Sequence, residues 1–175
     1  MSEFKDLARV RRSRRQYTDE PVSDEDLKTV LRAALLSPSA KSLRQWTFTF
    51  TRDKDKIASL SKVREHGSGF LAEAPVAIAV SGPAGIQDTW IEDCAIAAVS
   101  MQYQAQDLGL GTCWCHVRGR ESTVEGVSAD ARVKEILGIE DDMSVLCVIA
   151  LGHPCDDRGP KDEDTLKWSQ VRDAD

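Results

Sequence analysis

The sequence predicts helices packed on one small sheet, an architecture in which each element buries a single apolar face or stripe. Two observations carry this. Five segments repeat apolar residues at helical spacing, whereas only three or four runs have strand length and β-forming composition. The two kinds alternate along the chain, with no internal repeat and no low-complexity block to suggest a solenoid.

In order, residues 3–12 read as a short amphipathic helix, with Phe4, Leu7, Ala8 and Val10 among charges. Residues 13–22 lack periodicity and run to Pro21 and Val22. Ser23 then opens a Ser-x-x-Asp start signal, with Asp24, Glu25 and Asp26 suited to a helix N-terminus. Leu27, Val30, Leu31, Ala34 and Leu35 follow at helical spacing, so this helix should run to about Leu36. SPSAKSLRQ (37–45) is small and polar, hence a loop. WTFTFT (46–51) alternates bulky and hydroxyl residues, as a half-buried strand does.

A short helix is expected over Lys54–Lys62, then a loop at EHGSG (65–69). PVAIAVSG (75–82) is a continuous apolar strand with proline confined to its first position. Asp88–Leu108 is helical and apolar on most sides, which marks a helix buried in the core or in a subunit contact. Gly109 and Gly111 read as its C-terminal signal. TCWCHV (112–117) is a strand or extended segment, Ala129–Leu137 a helix closed by Gly138, and MSVLCVIALG (143–152) the most strand-like run of all. After Gly152 the chain turns polar, with Leu166, Trp168 and Val171 as its only apolar anchors. Such a tail frays unless it docks. The 175 residues therefore read as one domain, with a tail from about residue 156.

Composition narrows the function. With 41% hydrophobic and 30% charged residues the chain is of ordinary globular type. Its net charge of -6 argues against nucleic-acid and anionic-membrane partners, whose contacts depend on Lys and Arg. No run approaches a membrane-spanning length, and the start MSEFKDLARV lacks a signal peptide's apolar core. Five cysteines then read as reduced thiols of a cytoplasmic protein.

Three loops could carry chemistry. RVRRSRR places Arg9, Arg11, Arg12, Arg14 and Arg15 in one short window of an acidic protein. Crowded guanidiniums repel one another and call for an anion, and Ser13 adds a hydroxyl suited to a phosphate. The plain alternative is a solvated basic face. In SPSAKSLRQW, Ser39, Ala40 and Ser42 are small enough for a planar ligand to approach the main chain, with Lys41 and Arg44 as donors. DLGLGTCW is a glycine-flanked turn into an extended segment. Neither GxGxxG nor GxxxxGK[ST] occurs, which removes the common dinucleotide and phosphate loops. Cys113, Cys115 and His116, with His153 and Cys155, permit a zinc or thiol-redox reading, although the spacing is not that of structural zinc. No catalytic serine, paired carboxylate or HExxH motif stands out.

Taken in order and spacing, RRSRRQY (11–17), the PVSDEDL helix start, SPSAKSLRQW (37–46), the helix ending QAQDLGLGTCW and the turn VIALGHP (148–154) resemble the FMN-dependent nitroreductase family over almost the whole chain. The resemblance implies an α+β fold with a small, mostly antiparallel sheet flanked by helices. It also implies an intertwined homodimer with FMN at each subunit contact. On it, Arg11, Arg12, Ser13 and Arg15 match the motif that holds the FMN phosphate and ribityl chain. Pro38, Ser39, Ala40 and Ser42 match the loop that reaches the flavin ring from the other subunit, and Arg44 of the same loop is counted with the cofactor-binding residues. Trp114, Cys115 and His116 match the segment along the flavin N5 side, and Arg158, or failing it Lys161, the late basic residue closing over the phosphate.

The loop departs from the family's S-x-N-x-Q-P-W: Ser42 stands for Asn, Arg44 for Gln and Gln45 for Pro. The implied activity is hydride transfer from NADH or NADPH, through FMN, to a nitroaromatic, quinone or similar acceptor by a ping-pong cycle. No side chain need act as nucleophile, because the cofactor carries the reaction. A non-catalytic FMN-binding module is the alternative.

Overall fold

The computed structural model describes residues 3–174. Four strands, β1 (Thr47–Thr51), β2 (Val76–Gly82), β3 (Gly111–His116) and β4 (Ser144–Gly152), form one sheet in the order β1-β2-β4-β3. Every pair is antiparallel, with Thr47 opposite Ser81, Val76 opposite Leu151 and Thr112 also opposite Leu151. A register shift between Val80 and Ser81 marks a bulge. Among the described residues, five α-helices surround the sheet: α1 (Phe4–Val10), α2 (Asp24–Leu35), α3 (Lys54–Ser61), α4 (Trp90–Asp107) and α5 (Ala129–Leu137).

Alternation along the strands sorts the core into two layers. Val76, Ile78, Val80, Ile149 and Leu151 face α2 and α4, where Val30, Ala34, Ala97, Ala98 and Met101 complete one cluster. Ala77, Ala79, Val148 and Ala150 point to the opposite face and meet Ile57, Leu60 and Val133 of α3 and α5. Both faces of β2 and β4 are thus covered, which is why these two strands read as continuous apolar runs. β1 lies at one sheet edge, where Phe48 packs against the α2–α4 cluster but Phe50 stays exposed, and β3 lies at the other.

The helix starts follow their caps. The Ser23 hydroxyl accepts from Asp26 N at 3.0 Å, Asp53 accepts from Asp55 N at 2.9 Å, and Ser128 from Ala131 N at 3.1 Å. Gly138 closes α5 in the left-handed conformation, φ 69°, with its N–H bonded to Lys134 O. The two glycines after α4 divide the work expected of them together. Gly109 takes the left-handed turn, φ 77°, whereas Gly111 is already the first residue of β3.

The tail is held to this chain by backbone and guanidinium contacts. Its backbone follows the arginine segment: Lys161 N donates to Arg9 O, and Arg12 Nη1 donates to Gly159 O. Leu166, Trp168 and Val171 do not anchor it to this chain and are 48, 71 and 68% exposed. The physical reason is that the tail crosses a charged strip, which offers carbonyls and guanidiniums instead of apolar surface. Among the described residues, no helix is long and apolar enough to cross a membrane.

Candidate functional site

Residues 11–18 lie against the outer end of β3. Ser13 bridges Thr112 in parallel, Arg14 N donates to Thr112 O at 2.8 Å, and Tyr17 bridges Pro154 beyond β4. A side chain at Gly111 would meet Arg14 Cβ and Pro154 Cβ at 2.9 Å, so only glycine admits this approach. The Tyr17 hydroxyl donates to Arg14 O at 2.5 Å and fixes the turn. Burial pushes that phenol far above its ordinary value and keeps it a donor.

The five arginines of this segment divide by partner. Arg9 meets the Glu163 carboxylate at 3.4 Å, and Arg14 meets Asp156 at 3.3 Å. Arg11, Arg12 and Arg15 have neutral partners instead: Gln102 Oε1 at 3.4 Å, Gly159 O at 2.7 Å, and the Phe70 ring centroid at 5.8 Å. Among the described residues these three guanidiniums pair with no carboxylate. Arg158 joins them from the tail, its Nε on Asp156 Oδ2 at 3.1 Å. Burial raises the Asp156 carboxyl, but the bonds from Arg158 and Arg14 outweigh it and hold the group below the usual carboxylate range.

Burial raises the Cys113 thiol, while Arg15, the Ser13 hydroxyl, Arg11 and Arg158 pull it down. Burial also pushes Cys115 up to about 11, Cys94 up to about 12 and Cys147 well above its ordinary value. The buried cysteines are therefore thiols at neutral pH, without the activated thiolate that a nucleophile requires. Cys113 and Cys115 do share one face of β3, but that face is the α3–α5 core. No group of three metal-ligating side chains occurs among the described residues.

The opposite face of β3 presents Trp114 and His116. Their rings stack with centroids 6.4 Å apart and an interplanar angle of 15°, and Trp114 Nε1 donates to His116 Nδ1 at 3.4 Å. Desolvation, then the guanidiniums of Arg120, Arg64 and Arg118, lower the His116 pKa, so this imidazole is neutral at pH 7 and accepts at Nδ1.

The loop after α2 is held from α4. Ala40 N donates to the buried Asp93 carboxylate at 2.8 Å, Gln87 Nε2 donates to the same group at 2.5 Å, and the Ser37 and Ser100 hydroxyls meet at 2.7 Å. Lys41, Ser42 and Arg44 take positive φ of 50°, 57° and 51°, a strained conformation for residues with a Cβ. Ser39 Oγ accepts from Arg44 N at 3.0 Å and stabilises the turn. Pro38 leads into it, and Lys41, Ser42 and Arg44 are exposed.

The structure thus brings Arg11, Arg12, Ser13, Arg15, Arg158 and the start of β3 together, but places the Pro38–Arg44 loop elsewhere. Arg11 touches α4 at Gln102 and the loop touches it at Asp93. Nine residues of helix separate these points by about 13–14 Å. Asp93 was legible only as an acid on the apolar stripe of α4, between Trp90 and Ala97. The role of Asp156 carried no sequence signal, since its partner Arg14 lies 142 positions away.

Residues 8–66 and 54–153 match the family model described as the nitroreductase family. An Archaeoglobus fulgidus protein assigned by name as an NADH dehydrogenase/NAD(P)H nitroreductase is 33% identical over 162 residues, covering 90% of this chain and 89% of that one. A solved structure of an FMN-dependent nitroreductase from Clostridium difficile R20291 superposes with a TM-score of 0.91 at 39% identity, covering 94% of this chain and 95% of its own. A structure from Clostridium acetobutylicum assigned by name as an NADH oxidase is 27% identical with a TM-score of 0.85, covering 97% of this chain and 99% of its own.

Proposed function

This chain belongs to the nitroreductase family, and from that premise we propose that it is an FMN-dependent oxidoreductase drawing electrons from NADH or NADPH. The observation that carries the reading is the division of the arginines. Among the described residues, Arg11, Arg12 and Arg15 are gathered on the edge of β3 with no carboxylate to neutralise them, in a chain whose net charge is -6. Such a group favours a strong anion nearby, and a phosphate monoester suits guanidinium geometry.

The residues present fit FMN. Arg11, Arg12 and Arg15, with Ser13 and Arg158, would hold the phosphate and ribityl end, and Trp114, Cys115 and His116 would line the ring. Because Cys115 is turned into the core, its backbone rather than its sulfur would face the ligand. Bound FMN supplies hydride acceptance and donation. The protein positions the donor and acceptor, excludes water, and neutralises charge with its guanidiniums. In the net reaction NAD(P)H gives up a hydride and becomes NAD(P)+. A quinone takes that hydride and a proton to become a hydroquinone, or a nitro group takes them, loses water and becomes nitroso.

Pro38, Ser39, Ala40, Ser42 and Arg44 complete the site from a second copy of the chain, since α4 holds this loop away from the same chain's Arg11. The apolar side chains left open on α4 support a homodimer: Ile96 is 41% and Val99 43% exposed. The tail from about residue 156 would dock on that dimer through Leu166, Trp168 and Val171, and the whole chain would form a single domain. Reduced thiols accord with a cytoplasmic setting.

The test is anaerobic addition of NADH and of NADPH to the FMN-loaded protein. Loss of the oxidised-flavin visible band is expected; a band that persists with both donors would leave only an FMN-binding module. With donor and acceptor sharing one slot, double-reciprocal plots should be parallel, and intersecting lines would contradict the ping-pong cycle.

A further inference from the structure

A second group of guanidiniums lies at the other end of β3, outside every motif considered so far. Arg64 follows α3, its Nη1 donates to His116 O at 2.8 Å, and its own N–H donates to Ser68 Oγ at 3.2 Å. Arg118 and Arg120 are exposed on the turn that follows β3. Among the described residues none of the three pairs with a carboxylate; the adjacent Glu65 faces His66 instead, at 3.9 Å. All three act on the His116 imidazole electrostatically and, with burial, hold it neutral. Arg64 reaches this end of β3 from the Cys115 side and Arg118 and Arg120 from the turn, so the three guanidiniums border the end of the strand that carries the Trp114–His116 ring pair on its other face.

Thr112 and His116 are four strand residues apart, about 13 Å. The Arg11–Arg15 group and this patch thus flank opposite ends of β3, with Trp114 between them. One phosphate at the first end leaves the second end uncompensated. A ligand that fits an aromatic pair and three guanidiniums at the end of one strand is a heterocycle carrying phosphoryl groups. Of the two substrates, only the nicotinamide donor must carry them; nitroaromatics and quinones need no charge.

Resting on the reading of this protein as an NAD(P)H-dependent oxidoreductase, we infer that Arg64, Arg118 and Arg120 around His116 form an anion subsite for the phosphoryl groups of the nicotinamide dinucleotide. The subsite binds the donor and sets its affinity. The first arginine group is left to the cofactor.

The test is calorimetric titration of FMN-loaded protein with NADP+ and with NAD+, which requires no turnover. In Arg118→Gln/Arg120→Gln the affinity should fall about tenfold or more, and in Arg64→Gln it should fall in the same direction. FMN affinity should stay within about twofold of the parent. Arg118→Lys/Arg120→Lys should recover most of the loss, and added salt should weaken the parent more than the glutamine variant. Equal loss for both nucleotides assigns the subsite to the pyrophosphate; loss confined to NADP+ assigns it to the 2′-phosphate. Unchanged binding of both overturns the inference, as does an effect seen only as poorer KM for 4-nitrobenzoate. Flavin that no donor reduces, in a parent that still binds NADP+ through these arginines, would sink the proposed function and leave the subsite standing.

Discussion

At the scale of single residues, the charge of this protein is organised by which cations have been given an anion. Arg14 and Arg9 are matched by Asp156 and Glu163, while Arg11, Arg12 and Arg15 are not. Arg11→Ala should therefore weaken FMN binding by roughly 10–100-fold, the equivalent of about 1.5–3 kcal/mol for one charge-assisted contact, with little change in Tm. Cys115→Ser should leave FMN binding near the parent value, since its sulfur lies in the core. A dead serine variant beside a yellow Arg11→Ala would invert these roles. His116 gives a pH test. Its pKa is lowered, so it should titrate below the ordinary 6.5 when its ring protons are followed by NMR. Its contribution to stability is complete above pH 6.5 and is lost as pH falls towards the depressed folded value. A midpoint at or above 6.5 would show the guanidiniums to be too distant to act. The sequence displayed the arginine cluster but not its division, because Asp156 and Glu163 approach only through the fold. Arg64 was invisible for the same reason: a lone arginine in a loop has no pattern.

At the scale of elements, legibility followed local physics. α2 was readable because its cap, its acidic first turn and its apolar stripe agree, and β2 and β4 because two-sided burial leaves no polar position. The loop at 37–45 was readable only as a loop. Its three positive-φ residues depend on Asp93, brought to Ala40 across 53 positions. Asp93→Ala would orphan Ala40 N and leave Gln87 Nε2 with Thr89 Oγ1 as its one remaining partner, so it should cost about 1–3 kcal/mol of stability in urea unfolding and raise protease cleavage within 38–45. An unchanged cleavage pattern would show that the loop holds its own shape. Gly152→Ala is a second element-scale test. Its Cβ would lie 2.5 Å from Pro75 Cδ and 2.9 Å from Tyr17 Cδ1, so the β4 exit must shift. A loss of about 1–3 kcal/mol is expected, and a parent-like midpoint would contradict the packing described.

At the scale of the whole molecule, apolar side chains of α4 and the tail lie uncovered among the described residues. The sequence showed α4 to be apolar nearly all round, but it could not separate a core from a subunit contact, because burial by self and by partner leave the same pattern. The proposed homodimer would account both for Ile96 and Val99 and for the separation of the Pro38–Arg44 loop from Arg11. Val99→Glu, at an already exposed position, should fold, sediment as a monomer and release FMN. A monomer that keeps its full flavin would refute the shared site.

The most direct test of the central claim compares FMN with riboflavin, which share the ring and differ in the phosphate. In parallel fluorescence titrations of the flavin-free protein, the uncompensated guanidiniums of Arg11, Arg12 and Arg15 predict FMN binding at least about a hundredfold tighter than riboflavin, a gap that narrows with salt. Equal affinity for the two, or no binding of either, would contradict the account.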